Sequence, residues 1–298
     1  GMGLASLEPN LVVHSSLVTT DLGAALFGFL AVYLLWEYTR AASLKLLVGV
    51  GAAVGAALAA KYSAILLPVI LGAILFFHLL ARGDFISSSF RRGRPRRFIL
   101  GRTLTGIPPF LVVLGVAALV LSGSYLFQGF SDWWSGMESV IVHREIGHQA
   151  FFWGEYSFEG WLSYFPVAFL IKTPIGILIL LAASLLFCRT GEKLRGRDLI
   201  YLLVPVVTLF AATAFGRINI GLRHVLPIYP FLLLISSRIA TIQFRKPQVM
   251  PLLLALALVL TGIPSLRVAP HQLAYFNELV GGPEEGYRYL SDSNIDWG

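Results

Sequence analysis

The chain has 298 residues, of which 56% are hydrophobic and only 13% are charged, and its mean hydropathy is +0.75. Soluble domains carry about 25% charged residues, so this composition excludes an ordinary soluble protein and indicates a protein embedded in a bilayer. The single cysteine, Cys188, excludes an internal disulfide framework and a cysteine-based zinc site. The formal charge of +7 first raises the question of sidedness in the membrane.

Apolar runs long enough to cross a bilayer recur along the chain, since a hydrocarbon core of about 30 Å needs roughly 17 to 25 apolar residues per helix. They predict an all-α, polytopic transmembrane helical bundle. Residues 1–264 are expected to form the transmembrane domain and residues 265–298 the start of an extracytoplasmic segment. About eight spans are predicted, at residues 22–38, 44–60, 62–80, 103–122, 162–187, 199–215, 224–240 and 248–264.

The charges of the connecting segments predict which side of the membrane each segment faces. With eight crossings, one alternating set of segments holds sixteen of the 23 Lys and Arg residues, and the other set holds seven. Because cytoplasmic loops are enriched in Lys and Arg, the first set is predicted to be cytoplasmic. The densest basic run, residues 91–97, is interpreted as a topology determinant that touches anionic lipid heads. No aromatic residues interleave it for base stacking, so no nucleic-acid partner is expected.

Gly51 and Gly55 lie in the second predicted span. With Gly49 they resemble a phosphate-binding loop, but Val54 stands where the third glycine of a dinucleotide fingerprint should be, and no strand precedes them. Small residues four positions apart let two helices pack closely. The two glycines are therefore predicted to serve helix packing.

Polar residues concentrate in four stretches on the predicted outer side: 1–21, 123–161, 216–224 and 265–298. Chemistry is therefore expected on the outer face of the membrane. Asp21 opens the first predicted span, where a carboxylate either caps the helix and complements its dipole or takes part in catalysis. Five of the six histidines also lie on this side: His14, His143, His148, His224 and His271.

The longest outer stretch contains a cluster of titratable residues. If residues 137–148 form a helix, Glu145 and His148 are three apart, and Glu145 with either His148 or His143 can face a common ligand. Two histidines with carboxylates suit a divalent metal, although no strong ligand spacing such as HExxH is present. The alternative is an interfacial helix, and the tryptophans favour it as an aromatic belt: Trp133, Trp134, Trp153 and Trp161.

Cations on the outer side work against the positive-inside bias and call for an anionic partner. Arg217 and Arg223 stand before a span, and the planar fork of an arginine matches phosphate oxygens. Lys172 lies about ten residues into a span that begins outside. Its ammonium group either snorkels to the interface or pairs with an anionic ligand.

Four sequence blocks occur in order along nearly the whole chain. They are EPN at 8–10 with His14 and LVTTD at 17–21, GWLSYFP at 160–166 with KTP at 172–174, NIGLRH at 219–224 with LPIYP at 226–230, and YFNELVGGP at 275–283 with DSNIDWG at 292–298. Together they resemble the polyprenyl-phosphate-dependent glycosyltransferases of the protein O-mannosyltransferase type (family 39-like). The second block also resembles the aminoarabinose transferases of lipid A.

The resemblance implies a C-type glycosyltransferase fold with its active site at the outer membrane surface. It implies transfer of a mannose-type hexose from a polyprenyl-phosphate carrier to a hydroxyl of a protein, lipid or glycan. Asp21 matches the second acidic position of the family, whereas the principal base is expected upstream of Gly1. The chain is accordingly expected to be an internal fragment, truncated at both ends and inactive alone, of a bacterial inner-membrane enzyme.

The chemistry of such a transfer assigns roles to the outer residues. A lipid-phosphate donor needs cations for its phosphate and a carboxylate for the proton of the acceptor hydroxyl. We assign the phosphate to Arg223, Lys172 and Arg144, and the acid role to Asp21. The sugar site is predicted to be lined by His14, Glu145 and His224, with His143 and His148 as candidate ligands of a divalent metal.

The main alternative is a transporter or flippase of lipid-linked material, in which Lys172 and Arg223 would line a path through the bilayer. Such a protein should have inverted repeats with broken helices near the midplane. The sequence shows neither feature, so the glycosyltransferase interpretation is preferred.

Overall fold

The computed structural model describes residues 1–298 except 18, 83–107, 128–129, 148, 188–195, 217, 220, 243–247 and 291–298. Over the described residues the chain is mostly α-helical, with one two-stranded sheet, which confirms the predicted all-α class. The basic run at 91–97, Cys188, His148 and Arg217 lie outside the described residues, so the predictions made for them stay predictions.

Within the described ranges, the helices follow one another in the chain, and one β-hairpin lies between the seventh helix and the eighth. The hairpin pairs β1 (Ala150–Phe152) with β2 (Glu155–Ser157) in antiparallel register. The helices are α1 (Met2–Leu7), α2 (Pro9–Ser16), α3 (Asp21–Arg40), α4 (Leu44–Ala60), α5 (Leu67–Arg82), α6 (Pro109–Ser124), α7 (Phe130–Ile146), α8 (Tyr164–Lys172), α9 (Ile175–Leu186), α10 (Gly196–Ala214), α11 (Tyr229–Ser237) and α12 (Val249–Arg267).

The described parts of the predicted spans are helical, apart from a break within 162–187, and the protein is an integral membrane protein. Among the described residues, five helical stretches are long and apolar enough to cross a membrane: Asp21–Arg40, Tyr62–Ala81, Arg197–Ala214, Leu222–Thr241 and Val249–Arg267. Helices α4 and α6 are apolar but shorter, with 17 and 16 residues. The pair α8 and α9 makes a sixth span if it is counted as one.

The predicted span at 162–187 is not one straight helix. Helices α8 and α9 are bent by 113° at their junction, Thr173-Pro174. Proline has no amide hydrogen for the helical ladder and disfavours the helical conformation of the residue before it, so Thr173 is extended, with φ −98° and ψ 133°. The expectation that the chain has no broken helix is therefore wrong for this pair.

The chain divides into two compact units, which are described separately. Unit 1 contains Gly1–Leu22, Ile141–Lys193 and Val206–Gly298, and unit 2 contains Gly23–Val140 and Leu194–Pro205. In unit 1, apolar side chains of α1, α9, α11 and α12 form one buried core. Its members include Leu4, Ile177, Leu180, Leu233 and Ala257.

Unit 2 confirms the packing role of the two glycines on α4. A Cβ atom added at Gly51 would lie 2.7 Å from Val116 Cβ, and one added at Gly55 would lie 2.6 Å from the Ala117 carbonyl oxygen. Both distances are too short for real carbon contacts, so α4 and α6 approach each other through these positions.

Trp133 corrects the aromatic-belt prediction. It is buried in a cluster with Leu121 and Met137 in unit 2, and its indole Nε1 donates to the Leu58 carbonyl oxygen at 3.2 Å. Trp134 and Trp153 are exposed, by 52% and 60% respectively. The belt therefore excludes Trp133, because its indole is part of the core between α4, α6 and α7.

Candidate functional site

Unit 1 contains a set of buried polar side chains around the junction of α8 and α9. A bend of this size leaves the last carbonyl groups of α8 without partners in the helix, and buried carbonyls need hydrogen-bond donors. The donors come from two distant segments of the chain, one before the first long helix and one after the last.

The first donor is Asn10, in the first turn of α2. Glu8 caps this helix, with its Oε2 accepting the Leu11 amide hydrogen at 2.6 Å, and Pro9 occupies the first turn. The Asn10 amide nitrogen donates to Glu8 Oε1 at 2.6 Å and to the Lys172 carbonyl oxygen at 2.8 Å. The cap of α2 and the end of α8 are therefore joined through one amide.

The second donor is Asn277, in the segment after α12. Its side-chain nitrogen donates to the carbonyl oxygens of Leu170 at 2.6 Å and Thr173 at 2.9 Å. Its backbone amide donates to the Ile171 carbonyl oxygen at 2.8 Å. Together with Asn10, it gives a donor to each of the four carbonyl groups of residues 170–173.

Lys172 lies at the end of α8 and is fully buried. Its ammonium nitrogen donates to the Leu273 carbonyl oxygen at 3.0 Å and lies 4.8 Å from the centroid of the Phe276 ring. Because the span breaks at this residue, Lys172 does not stand in the middle of a continuous transmembrane helix. Its contact with a carrier phosphate stays a prediction.

Glu8 is fully buried, and its electrostatics reflect that burial. Burial raises the pKa of the Glu8 carboxyl from 4.5 to about 7, although the hydrogen bonds from Asn10 and Leu11 and the charge of Lys172 oppose the shift. Burial, with the nearby carboxylates of Glu278 and Glu8, also raises the pKa of the Tyr275 hydroxyl above its usual range.

The third sequence block joins this set through a tyrosine. The hydroxyl groups of Thr173 and Tyr229 are 2.8 Å apart, and both side chains are buried. Sequence reasoning did not single out Asn10, Tyr229 or Asn277 as functional residues. Their positions inside the four blocks were visible, but an asparagine or tyrosine carries no charge that marks it in an apolar sequence.

Several predicted site residues are buried or half-buried in unit 1. His14 on α2 and Asp21 in the first turn of α3 are buried, and Asp21 stands where a carboxylate complements the helix dipole. Arg223 and His224 are half-buried in the 3-10 helix Leu222–Ile228, and the His224 ring lies edge-on to Phe165 with centroids 6.1 Å apart. Their functional roles stay predictions.

The end of α7 differs from the sequence expectation. The helix that was expected to include residues 137–148 ends at Ile146, and Gly147 has a φ of +79°. His143 and Glu145 are exposed, whereas the Arg144 side chain lies outside the described residues. Among the described residues, no three His, Cys, Asp or Glu side chains form a group that fits a metal ion. The metal role of His143 and His148 stays a prediction, because His148 lies outside the described residues.

The N-terminal part of the chain, which contains Glu8, Asn10, His14 and Asp21, matches a known protein family. Residues 1–90 match the dolichyl-phosphate-mannose-protein mannosyltransferase family. The match confirms the resemblance over these 90 of the 298 residues. No curated protein and no solved structure matches the chain.

Proposed function

We propose that this protein is a glycosyltransferase that takes a mannose-type hexose from a polyprenyl-phosphate carrier. It transfers the sugar to a hydroxyl group of a protein, lipid or glycan at the extracytoplasmic face of a bacterial inner membrane. Two observations support the proposal: the family match of residues 1–90 and the excess of Lys and Arg in the segments predicted to be cytoplasmic.

One structural observation carries the proposal furthest. The four sequence blocks that resemble the family are far apart in the chain, yet each contributes a side chain to the junction of α8 and α9. The first block contributes Asn10, the second Lys172 and Thr173, the third Tyr229 and the fourth Asn277. A shared buried site explains why these blocks occur together in one sequence.

The proposed reaction needs three kinds of group. The bond between the anomeric carbon and the carrier phosphate breaks as the acceptor oxygen attacks that carbon, and the acceptor proton passes to a carboxylate. The phosphate leaves on its lipid, with its charge stabilised by cations. We assign the cations to Arg223, Lys172 and Arg144 and the acid role to Asp21. His14, Glu145 and His224 are proposed to line the sugar site.

The decisive experiment measures binding of a synthetic polyprenyl phosphate to the purified chain in detergent. Arg223→Glu should weaken binding about tenfold to a hundredfold, because a hydrogen bond to a charged group contributes about 1.5–3 kcal/mol. Arg267→Glu is the matched control, since Arg267 is exposed at the end of α12 and undergoes the same charge change. Equal affinities of both variants and the wild type would refute the role of Arg223.

A flippase of lipid-linked material is favoured by one observation, the bent pair α8 and α9. In transporters, the freed carbonyls of a broken helix coordinate ions. Here Asn10 and Asn277 occupy the carbonyls of residues 170–173, which favours a fixed bend. Vesicles that contain the protein and a fluorescent polyprenyl phosphate separate the two functions. Protein-dependent movement of the lipid between leaflets, without sugar transfer from a mannosyl form of the same lipid, would support the flippase.

A further inference from the structure

Three asparagines in unit 1 are at most 1% exposed: Asn10, Asn219 and Asn277. An asparagine amide has two N–H donors and one carbonyl acceptor. The amide nitrogens of Asn10 and Asn277 each donate to two oxygens, at distances between 2.6 and 2.9 Å. In both residues the protein itself satisfies the donors, which is the usual state of buried polar groups.

Asn219 differs from the other two. Its Oδ1 accepts the Trp161 amide hydrogen at 2.6 Å, and because an N–H must face an oxygen, this bond determines which end of the amide is the nitrogen. The Nδ2 atom is buried and has no hydrogen-bond acceptor among the described residues. A donor in this state is unfavourable without an acceptor, so an oxygen supplied by a bound molecule would stabilise it.

The surroundings of Asn219 hold its amide in place. A Cβ atom at Gly160, whose φ is +75°, would collide with Asn219 Oδ1, so the chain at 160–161 packs directly on the amide. A larger residue at position 160 is therefore unfavourable both for space and for backbone conformation. The contact with residues 160–161 leaves the amide little freedom to rotate.

The chain near Asn219 also carries features that attract an anion. Gly221, with a φ of +124°, leads into the helical stretch Leu222–Thr241, whose first residues include Arg223. An arginine fork matches phosphate oxygens. A buried amide donor and a cation, Asn219 and Arg223, are thus four residues apart in the sequence.

We propose that Asn219 is a ligand-binding residue whose amide N–H groups donate to an oxygen of the lipid-phosphate donor, next to Arg223. The inference rests on the proposed function, because it adds a neutral hydrogen-bond donor to the same site. The oxygen belongs either to the phosphate or to the sugar it carries, and both are acceptors of the same chemistry.

The test uses two substitutions that remove the amide hydrogens. Asn219→Asp keeps an oxygen for the Trp161 amide, whereas Asn219→Ser replaces the amide with a shorter hydroxyl group and adds no charge. Affinity is measured on the purified chain for a synthetic polyprenyl phosphate and for the same lipid with mannose. Each variant should bind at least one of the two about tenfold more weakly than the wild type. Weakening with both lipids assigns the oxygen to the phosphate, and weakening only with the mannosyl lipid assigns it to the sugar.

Melting temperature without ligand separates binding from folding. Asn277→Asp shows how much stability is lost when a structural amide is removed, and Asn219→Asp, the same change at a residue whose Nδ2 has no acceptor among the described residues, should lose much less. The inference is overturned if both Asn219 variants bind both lipids with unchanged affinity. It is also overturned if an Asn219 variant loses as much melting temperature as Asn277→Asp but keeps full affinity for both lipids. If Asn219→Asp does not fold, Asn219→Ser alone decides. Weaker binding by Arg223→Glu with intact binding by the Asn219 variants refutes only this inference, whereas failure of the wild-type chain to bind either lipid would refute the proposed function.

Discussion

The side-chain amide of Asn10 donates to the carbonyl oxygen of Lys172 at 2.8 Å, across 162 residues of sequence. This bond and those of Asn277 give the bend between α8 and α9 the hydrogen-bond donors that a continuous helix would have supplied. The bend is therefore a property of three segments together, and its stability depends on side chains far from Thr173 and Pro174.

Asn277→Ala should destabilise the protein by about 2–4 kcal/mol, since it leaves the Leu170 and Thr173 carbonyls buried without their donor. Denaturation of the purified chain in detergent measures the loss. Glu278→Ala is the control, because this neighbouring side chain is exposed. Equal stability of the two variants would show that the bend holds without Asn277.

Gly51→Leu should destabilise unit 2 by about 1–3 kcal/mol, the usual cost of inserting atoms into a well-packed contact. A side chain at this position would meet Val116 and the Val113 carbonyl oxygen on α6. Gly72→Leu provides the comparison, because a Cβ atom at Gly72 in α5 meets nothing within 4 Å. If both variants melt at the temperature of the wild type, the result contradicts close packing of α4 against α6 at Gly51.

Glu8 should make stability depend on pH between about 4.5 and 7, because its pKa is raised to about 7 in the folded protein. Below pH 4.5 the carboxyl is protonated in both states and contributes no difference. As pH rises toward 7, the unfolded chain loses the proton while the folded chain retains it, so stability falls. Above pH 7 the loss is complete, at roughly 3 kcal/mol.

Glu8→Gln tests this pH dependence because glutamine is neutral at every pH. The slope of the unfolding free energy against pH between 4.5 and 7 should be less negative in the variant than in the wild type. Comparing slopes avoids the separate cost of altering the cap of α2. Parallel slopes would mean that Glu8 does not titrate in this range.

Tyr201→Phe should destabilise unit 2 by about 1–2 kcal/mol, since the hydroxyl contacts both Thr39 Oγ1 at 2.8 Å and His78 Nδ1 at 3.0 Å. The tyrosine side chain is buried, so the two partners lose a hydrogen-bonding group that water does not replace. Tyr33→Phe serves as the control because Tyr33 is 46% exposed. Thermal unfolding in detergent should separate the two variants.

The amino-acid sequence by itself determined the positions of the membrane helices and the packing role of Gly51 and Gly55. Span positions follow from the length of apolar runs, which is a local property set by bilayer thickness. The role of the two glycines follows from their spacing on one helix. The order of four short blocks along the chain also indicated a resemblance to a family, and residues 1–90 match that family.

Only the tertiary structure decided how the bend at Thr173 is completed and where Trp133 lies. Hydropathy along 162–187 is continuous through the break, and nothing local shows that Asn10 and Asn277 supply donors to its carbonyls. Trp133 is of a residue type that is common at membrane interfaces. Its indole nevertheless packs against Leu121 and Met137 in a buried cluster. Both outcomes depend on hydrogen bonds and packing between segments distant in sequence, and these form only when the whole chain has folded.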